Sequence, residues 1–279
     1  MYKGYNFKFT KSLGQNFLKS DEVIGEILEG ADLKADDLVI EIGPGMGALT
    51  KPAANLVRRL VAIEIDTELI PILERELSAF DNIKVINEDV LKTNVGSIIA
   101  EELSLDPGIK GVKVIGNLPY YITTPIIMKL LEEDGGIDSI TIMMQKEVAD
   151  RIKAEAGGKE YGSLSIAVKY YCTVTDICDV PRTMFIPQPK VDSAVLRLDL
   201  REEKAVTPKD EKLFFSCIKA AFSQRRKTLA NCLSGFKGLD KNRVTEIITE
   251  AGISPGARAE TLTIEDFARL ADKIEEGAI

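Results

Sequence analysis

The fold class of this chain is decided by the stretch Leu38-Val39-Ile40-Glu41-Ile42-Gly43-Pro44-Gly45-Met46-Gly47. Its apolar half predicts a buried strand, and its glycines predict a tight turn into a following helix. Such a turn lets a ligand approach the backbone, and the N-terminus of the helix favours negative charge. A dinucleotide-binding fold would space its glycines as G-x-G-x-x-G, whereas here they are spaced as G-x-G-x-G, which weakens a nicotinamide-cofactor interpretation.

Before this stretch, Ser20 is expected to cap a helix that has Asp21 and Glu22 in its first turn and ends near Gly30. From the stretch onward, strand and helix patterns alternate. In chain order they are strand 38–42, helix 48–57, strand 60–65, helix 67–77, strand 83–86, helix 95–103, strand 112–115, helix 125–133, strand 139–144 and helix 146–156. This alternation is typical of right-handed βαβ units, so we expect an α/β fold with a doubly wound, mainly parallel sheet.

The pattern changes after Gly157. We expect a helix at 163–171, a strand at 173–180, an irregular loop with three prolines at 181–189, and a last strand at 191–200 that forms the edge of an antiparallel pair. From Pro208 onward only helical patterns follow, at 211–221, 226–233, 241–251 and 264–274. The chain is therefore expected to have two domains, residues 1–203 with the sheet and residues 204–279 as a small all-helical domain.

The composition excludes several kinds of chemistry. The chain has no histidine, which rules out imidazole bases, Ser-His and Cys-His relays and Cys/His metal sites. Its four cysteines show no C-x-x-C spacing and predict reduced thiols. No apolar run approaches the roughly 18–20 residues that span a bilayer, and residues 1–20 lack the apolar core of a secretory signal. We expect a cytoplasmic protein without a metal or a membrane partner.

The charge is acidic overall, with a net value of −8, but two segments are basic. Residues 1–20 have four lysines, including Lys11, and no acid, and residues 212–243 have eight basic residues and one acid. The sharpest cluster is Arg225-Arg226-Lys227. Such segments either direct a polyanion to one face of the protein or form the solvated face of a helix.

Polar residues stand at the ends of the predicted strands. Glu64 is placed to accept hydrogen bonds from both hydroxyls of a ribose. Glu88-Asp89 ends the third predicted strand, where a carboxylate could accept from an adenine amino group. Together with Gly43 they predict an adenosine pocket at the carboxyl edge of the sheet. Each acid taken singly could instead be solvated or cap a helix.

The stretch Asn117-Leu118-Pro119-Tyr120 follows the fourth predicted strand. A carboxamide offers both an acceptor and a donor, proline stiffens the neighbouring carbonyls, and Tyr120 or Tyr121 can present a flat ring. Rigid acceptors beside a stacking face suit an exocyclic amine on a flat heterocycle. The alternative is a turn whose tyrosine covers the edge of the core.

This series of motifs resembles the class I S-adenosylmethionine-dependent methyltransferases, and Asn-Leu-Pro-Tyr resembles the branch that methylates exocyclic amino groups of bases. Over nearly the whole chain, the sequence is similar to the bacterial ribosomal RNA adenine N6,N6-dimethyltransferases, the kasugamycin-resistance enzymes of the small ribosomal subunit. Further matching stretches are Leu13–Leu18, Phe185–Ser193, Ala221–Leu229 and Arg258-Ala259-Glu260.

The resemblance implies a Rossmann-like catalytic domain that binds S-adenosyl-L-methionine and a C-terminal domain that recognises RNA. It implies dimethylation of adenosines in 16S ribosomal RNA, within an immature 30S particle and by a monomer. The implied cofactor residues are Asn16, Leu18, Gly43, Glu64, Asp89 and Asn117. The residues expected to contact RNA phosphate are Lys11, Arg225, Arg226 and Lys227.

The resemblance also suggests how the target base is held. Tyr120 and Phe185 would stack on its two faces. We hypothesise that the Asn117 side-chain oxygen and the Leu118 backbone carbonyl accept the two amino hydrogens, which favours a nucleophilic nitrogen. Methyl transfer from a sulfonium mainly requires positioning, so the absence of histidine is no obstacle.

Three alternatives stay open at this point. A large-subunit RNA methyltransferase of the macrolide-resistance type shares the sheet motifs, although Arg258-Ala259-Glu260 favours the small-subunit type. A non-catalytic ribosome-assembly factor would keep the same fold, but it would not need Asn117, Pro119 and Tyr120 together. A dehydrogenase disagrees with the glycine spacing.

Overall fold

A computed structural model describes residues 14–133 and 135–277 of the chain. Its strands are β1 (Phe17–Leu18), β2 (Asp37–Ile42), β3 (Arg59–Glu64), β4 (Ile83–Asn87), β5 (Gly111–Asn117), β6 (Ser139–Gln145), β7 (Cys172–Val180), β8 (Phe185–Ile186) and β9 (Ser193–Leu200). Its helices are α1 (Asp21–Ala31), α2 (Thr50–Ala54), α3 (Ile70–Glu76), α4 (Val95–Leu105), α5 (Thr123–Glu132), α6 (Lys146–Lys153), α7 (Ser163–Tyr171), α8 (Glu211–Ala221), α9 (Leu229–Leu233), α10 (Lys241–Glu250) and α11 (Ile264–Gly277). Within the described ranges, no helix combines the length and the apolarity needed to cross a membrane.

The main sheet has seven strands in the order β4-β3-β2-β5-β6-β9-β7. The pairs among β2, β3, β4, β5 and β6 are parallel, and β9 runs antiparallel to β6. The predicted α/β fold with a doubly wound, mainly parallel sheet is therefore confirmed. Ile42 lies opposite both Ile63 and Gly116, and Glu64 lies opposite Asn87. The carboxyl ends of four strands thus meet along one edge.

The central strands are apolar on both faces because helices cover both sides of the sheet. Strand β2 is buried over its whole length. One lysine is nevertheless buried in β5. The Lys113 ammonium lies 3.1 Å from the carboxylate of Asp37 and also donates to the backbone carbonyl of Asp32. Because a buried charge is costly unless it is paired, these contacts account for a lysine inside an apolar strand.

Two sequence-based expectations about strands are wrong. Strand β9 is not at the edge, because it lies between β6 and β7. Its run of buried residues, Ala194 to Leu196, fits an interior position, whereas β7 has mostly exposed or half-buried residues, as an edge strand does. The proline-rich segment 181–189 is not wholly irregular, because Leu18 of β1 pairs with Phe185 of β8 in a separate two-stranded sheet.

Four predicted helices are at least three residues shorter in the structure. Helix α3 covers Ile70–Glu76 instead of 67–77, and α6 ends at Lys153 instead of residue 156. Helix α2 covers five residues instead of 48–57, and α9 begins at Leu229 instead of Arg226. The cluster Arg225–Lys227 consequently lies in a turn before α9. Ser20, which the sequence predicts to cap α1, does so: its side-chain oxygen accepts a hydrogen bond from the backbone N–H of Val23 at 3.4 Å.

The chain divides into two compact units. The first comprises Met1–Ala149 and Val174–Leu200, and the second comprises Asp150–Thr173 and Arg201–Ile279. In the second unit, the hydroxyls of Tyr170 and Tyr171 each lie 2.9 Å from the Glu211 carboxylate, which joins α7 to α8. The described residues after Pro208 form helices and turns without a strand, as expected. The functional division at residues 203 and 204 stays a prediction.

Candidate active site

A cavity opens at the carboxyl edge of the sheet in the first unit. Its volume is about 990 Å³ when its opening to solvent is included, which is the size of a small-molecule site. Most of the predicted site residues line it: Asn16, Leu18, Gly43, Glu64, Asp89, Asn117, Leu118 and Tyr120. The structure thus brings together side chains that are far apart in the sequence, and their individual roles stay predictions.

The glycine turn forms one wall of the cavity. Gly43, Gly45 and Gly47 all have positive φ angles, 69°, 60° and 82°, a region that side chains other than glycine rarely adopt. A Cβ atom on Gly45 would also lie 2.8 Å from the ring of Phe17. The preference for negative charge expected at the N-terminus of the following helix is weaker than predicted, because α2 is short and begins only at Thr50.

The carboxylate of Glu64 is held by the backbone. Its Oε2 accepts from the N–H of Gly45 at 3.1 Å, and its Oε1 accepts from the N–H of Asp66 at 2.9 Å. Burial raises the pKa of Glu64, and these two hydrogen bonds oppose that rise. Because each carboxylate oxygen can accept more than one hydrogen bond, Glu64 keeps acceptor capacity for two neighbouring hydroxyls.

Asp89 lies at the next strand end. Its Oδ1 accepts from the backbone N–H of Leu91 at 3.0 Å, and its Oδ2 lies 3.6 Å from the ammonium of Lys92. The neighbouring Glu88 accepts from the hydroxyl of Thr93 at 2.8 Å. The turn therefore orients Asp89 through one oxygen, and among the described residues its second oxygen has an exposed lysine as its partner.

Glu41 lines the cavity and was given no role by the sequence motifs. Its side chain is 1% exposed, and its Oε2 atom has no hydrogen-bond partner among the described residues. Burial, together with the nearby Glu64, raises the pKa of Glu41 to about 8. Since a buried polar atom is normally satisfied, this oxygen indicates a ligand that brings a donor or a cation. The signal available in the sequence was an acid inside an otherwise apolar strand.

The side chain of Asn117 is anchored at the mouth of β5. Its Nδ2 donates to the backbone carbonyl of Asn16 at 2.8 Å, and Asn16 in turn donates from its own side chain to the carbonyl of Gly14 at 3.0 Å. Because the carboxamide is planar, this bond also fixes the orientation of the Asn117 Oδ1 atom. The next residue, Leu118, is 1% exposed and donates its N–H to the Met143 carbonyl at 3.2 Å.

Two tyrosines follow in the same wall. The hydroxyl of Tyr120 lies 2.7 Å from the hydroxyl of Ser193 at the start of β9, and burial raises the pKa of Tyr120. Tyr121 is 57% exposed, and a Cβ atom on Gly14 would lie 3.3 Å from its ring. Ile65, another side chain of the lining, is 45% exposed. The sequence motifs assigned no role to Ile65, and the family resemblance assigned the stacking role to Tyr120 and none to Tyr121.

Phe185 does not occupy its predicted place opposite Tyr120. It is 2% exposed, and it belongs to the same hydrophobic cluster as Leu18, Val23 and Val180. It is not among the residues that line the cavity. The expected pair of stacking rings is therefore absent from this structure, because the ring of Phe185 is enclosed by the core. Its role toward a base stays a prediction.

The predicted RNA-binding residues lie apart in the sequence from this site. Arg225, Arg226 and Lys227 are exposed, in the second unit, and the guanidinium of Arg225 lies 3.7 Å from the carboxylate of Glu260. Lys11 lies outside the described residues. Their exposure leaves all three side chains accessible to a phosphate backbone, and this role stays a prediction.

Comparison with known proteins connects the site to a family. The family model described as "Ribosomal RNA adenine dimethylase" matches residues 6–276. The Ribosomal RNA small subunit methyltransferase A of Clostridioides difficile (strain 630) is 50% identical over 270 residues, which cover 97% of this chain and 92% of the relative. The protein of the same name from Bacillus cereus (strain AH187) is 49% identical over 274 residues, with 97% and 92% covered.

Two solved structures are similar over most of the chain. A dimethyladenosine transferase from Plasmodium falciparum has a TM-score of 0.78 and 27% identity, covering 94% of this chain and 98% of that chain. The 23S rRNA methyltransferase ErmE has a TM-score of 0.67 and 28% identity, covering 93% and 100%. The two solved structures therefore agree on the fold, and of the two names only that of ErmE specifies an RNA, 23S rRNA.

Proposed function

The chain belongs to the ribosomal RNA adenine dimethylase family, and on this premise we propose that it dimethylates adenosines of small-subunit (16S) ribosomal RNA. It is an enzyme that transfers methyl groups from S-adenosyl-L-methionine to adenine N6 amino groups. The observation that carries this function is the anchored Asn117 carboxamide, which lies in one cavity with the glycine turn and Glu64. Two relatives that are about half identical to this chain are named as small-subunit methyltransferases, and the alignments cover nearly the whole length of both chains.

The large-subunit alternative loses support from these relatives. The resemblance in fold to ErmE is strong, but at 28% identity it is weaker in sequence than the resemblance to the small-subunit enzymes. A non-catalytic assembly factor would not need the oriented carboxamide of Asn117, the buried carboxylate of Glu64 and the half-buried Tyr120 in one cavity. We therefore retain small-subunit RNA as the substrate.

The donors and acceptors of the cavity fit S-adenosylmethionine. This cofactor carries an ammonium and a sulfonium. Buried Glu41 has an oxygen without a hydrogen-bond partner among the described residues, and a cation bound there would favour the ionised form of this carboxyl against the burial that raises its pKa to about 8. Glu64 would hold the ribose hydroxyls, because both of its oxygens are oriented by backbone N–H groups and still accept. Gly43, Asn16 and Leu18 would enclose the rest, and Asp89 would meet the adenine amino group.

The catalytic work of the chain is to position the target nitrogen. When bound, S-adenosylmethionine supplies an electrophilic methyl group. The Asn117 Oδ1 atom and the Leu118 carbonyl would accept the two N6 hydrogens and favour the pyramidal nitrogen of the transition state. The bond from Asn117 to Asn16 supports this role, because the acceptor is oriented before the substrate arrives. The cationic product nitrogen then loses a proton to water, so no histidine is required.

Tyr120 would hold the target base by stacking. Its hydroxyl is tied to Ser193, so its ring has a fixed position in the wall of the cavity. Stacking of a base on an aromatic side chain is worth about 1–3 kcal/mol and requires that the base leave its stack. A second ring opposite Tyr120 is not required by this account.

The physical setting of the reaction is also a proposal. We infer a cytoplasmic monomer that acts on an immature 30S particle, with Lys11, Arg225, Arg226 and Lys227 near RNA phosphate. Support comes from the exposure of the three described residues in a basic segment of an otherwise acidic chain. A net charge of −8 disfavours tight non-specific binding of free RNA and suits recognition of a folded particle.

One experiment tests the function directly. The purified protein is incubated with labelled S-adenosylmethionine and with either small or large ribosomal subunits from cells that lack the methylation, and the modified positions are mapped. We expect N6,N6-dimethyladenosine in the small-subunit RNA alone. Labelling of the large-subunit RNA, or no transfer to either subunit, would contradict the proposal.

A further inference from the structure

The loop of residues 181–192, which precedes β9, carries two exposed cations. Arg182 and Lys190 are both exposed, and neither forms an ion pair with a carboxylate side chain in the described part of the chain. Many other basic side chains of the same unit do have such a partner, for example Lys51 with Glu76. This loop therefore brings together two exposed cations that no carboxylate side chain of the described residues neutralises.

The loop lies at the same sheet edge as the active site. Strand β9 begins at Ser193, which pairs with Gln145, the last residue of β6. Strand β6 runs parallel to β5, where Asn117 pairs with Met143. The Ser193 hydroxyl lies 2.7 Å from that of Tyr120. Because Lys190 is three residues before Ser193, its backbone lies within about 10 Å of the group that holds Tyr120.

The backbone of the loop is ordered by its own hydrogen bonds. The guanidinium of Arg182 donates to the carbonyl of Lys190 at 3.1 Å, and the backbone N–H of Arg182 donates to the carboxylate of Asp192 at 2.9 Å. The N–H of Lys146 donates to the Asp192 carbonyl at 3.0 Å. The guanidinium of Arg182 is therefore held against the backbone of Lys190, and the loop backbone is already in place, which lowers the entropic cost of binding.

We propose that Arg182 and Lys190 bind phosphates of the RNA strand that carries the target adenosine. The inference rests on the proposed function, and it assigns a strand-positioning role to residues outside the cofactor cavity. An arginine fork beside a lysine matches the charge and the acceptor oxygens of a phosphodiester. A strand held at this rim presents its next base to Tyr120, whereas the cluster Arg225–Lys227 would contact RNA from the other unit.

The test compares two exposed lysines at opposite edges of the sheet. Lys190 lies at the carboxyl edge, and Lys110 is exposed directly before β5, at the amino edge. The variants K190Q and K110Q are assayed with unmethylated small ribosomal subunits as the probe, over a series of KCl concentrations. Binding of subunits, the KM for subunits and the affinity for S-adenosylmethionine are measured.

For K190Q we expect the slope of log Kd against log [KCl] to become shallower by about one. The KM for subunits should rise about two- to fivefold, while kcat at saturating subunits and cofactor affinity stay at the wild-type values. K110Q should behave as wild type in all respects. The variant R182K, which keeps the charge, should bind subunits better than R182Q, and R182Q should reduce the slope as K190Q does.

The inference is overturned if K190Q keeps the wild-type slope and KM, or if K110Q and K190Q change them equally. This outcome is distinct from a failure of the proposed function. A wild-type protein that bound subunits without transferring methyl groups would contradict the function, and the difference in salt slope between K190Q and wild type would still decide the role of the loop.

Discussion

The side-chain amide of Asn117 donates a hydrogen bond of 2.8 Å to the backbone carbonyl of Asn16, a residue 101 positions earlier in the chain. This contact joins the end of β5 to the segment that closes the cavity. It fixes the orientation of the Asn117 side-chain oxygen, so the acceptor for the target amine is preorganised. The position of that oxygen is the central element of the proposed mechanism.

Replacing Glu64 with glutamine should weaken cofactor binding. Glutamine puts a donor group where a carboxylate oxygen now accepts from Gly45 or Asp66, so one buried hydrogen bond becomes a repulsive contact. A loss of roughly 1–3 kcal/mol is expected, about 5- to 150-fold in the Kd for S-adenosylmethionine. Calorimetric titration measures it, with E68Q as the control because Glu68 is exposed and does not line the cavity. Equal affinities of E64Q and wild type would remove Glu64 from the site.

The buried carboxyl of Glu41 should make folding stability depend on pH. Its pKa rises from 4.5 to about 8 on folding, so between these values the folded state binds more protons than the unfolded state. The contribution of Glu41 to the free energy of unfolding is therefore fully present below pH 4.5 and is lost as the pH rises toward 8. The slope is on the order of 1.4 kcal/mol per pH unit at most.

The variant E41Q, which has no ionisable group at this position, isolates that effect. Urea unfolding of wild type and E41Q is compared at several pH values. We expect wild type to lose stability relative to E41Q between pH 4.5 and about 8. A difference between the two proteins that stays constant over this range would show that Glu41 is ionised in the folded protein.

The hydroxyl pair of Tyr120 and Ser193 should act as a single unit. Y120F and S193A each remove the same 2.7 Å hydrogen bond and keep the ring. Each should raise the KM for subunits modestly, and the double variant should be no worse than either single one, because interacting residues are not additive. Y120A, which removes the stacking face, should weaken the binding of subunits by about 1–3 kcal/mol more than Y120F does. Additive effects of Y120F and S193A would contradict the coupling.

Phe185 should act mainly through packing. It is 2% exposed, so F185A is expected to lower the free energy of unfolding by about 3–5 kcal/mol. F185L fills most of the volume and should cost less than about 1.5 kcal/mol. We expect folded F185L to keep the wild-type KM for subunits within about twofold, given the burial of the ring. An increase of tenfold or more in this KM would restore the stacking role that the family resemblance suggests.

The local parts of the fold were predictable because their causes are local. The apolar run 38–42, the glycine turn and the Ser20 cap each act within a few residues, and each was found where the sequence placed it. The residues at the strand ends converge because parallel strands share a carboxyl edge. This rule alone predicts that Glu64, Asp89 and Asn117 lie at one edge of the sheet, and they line one cavity.

The features that the sequence analysis missed depend on distant partners. Leu18 pairs with Phe185, which is far from it in the sequence. Strand β9 is interior because β7 pairs with its outer side. Neither pairing leaves a mark within a short window of sequence. The enclosure of Phe185 follows from the first of these pairings. Glu41 was overlooked for a different reason: the strand pattern around it is apolar, and the missing partner of its oxygen is visible only in three dimensions.

The most direct test of the account is single-turnover methyl transfer by N117A on unmethylated small subunits, with the Kd for S-adenosylmethionine measured on the same preparation. Removing the oriented acceptor should slow transfer by at least about 100-fold, in line with the loss of one preorganised transition-state contact. The Kd for the cofactor should stay within about threefold of wild type. The account is contradicted if cofactor binding collapses while the bound complex still transfers methyl groups at the wild-type rate.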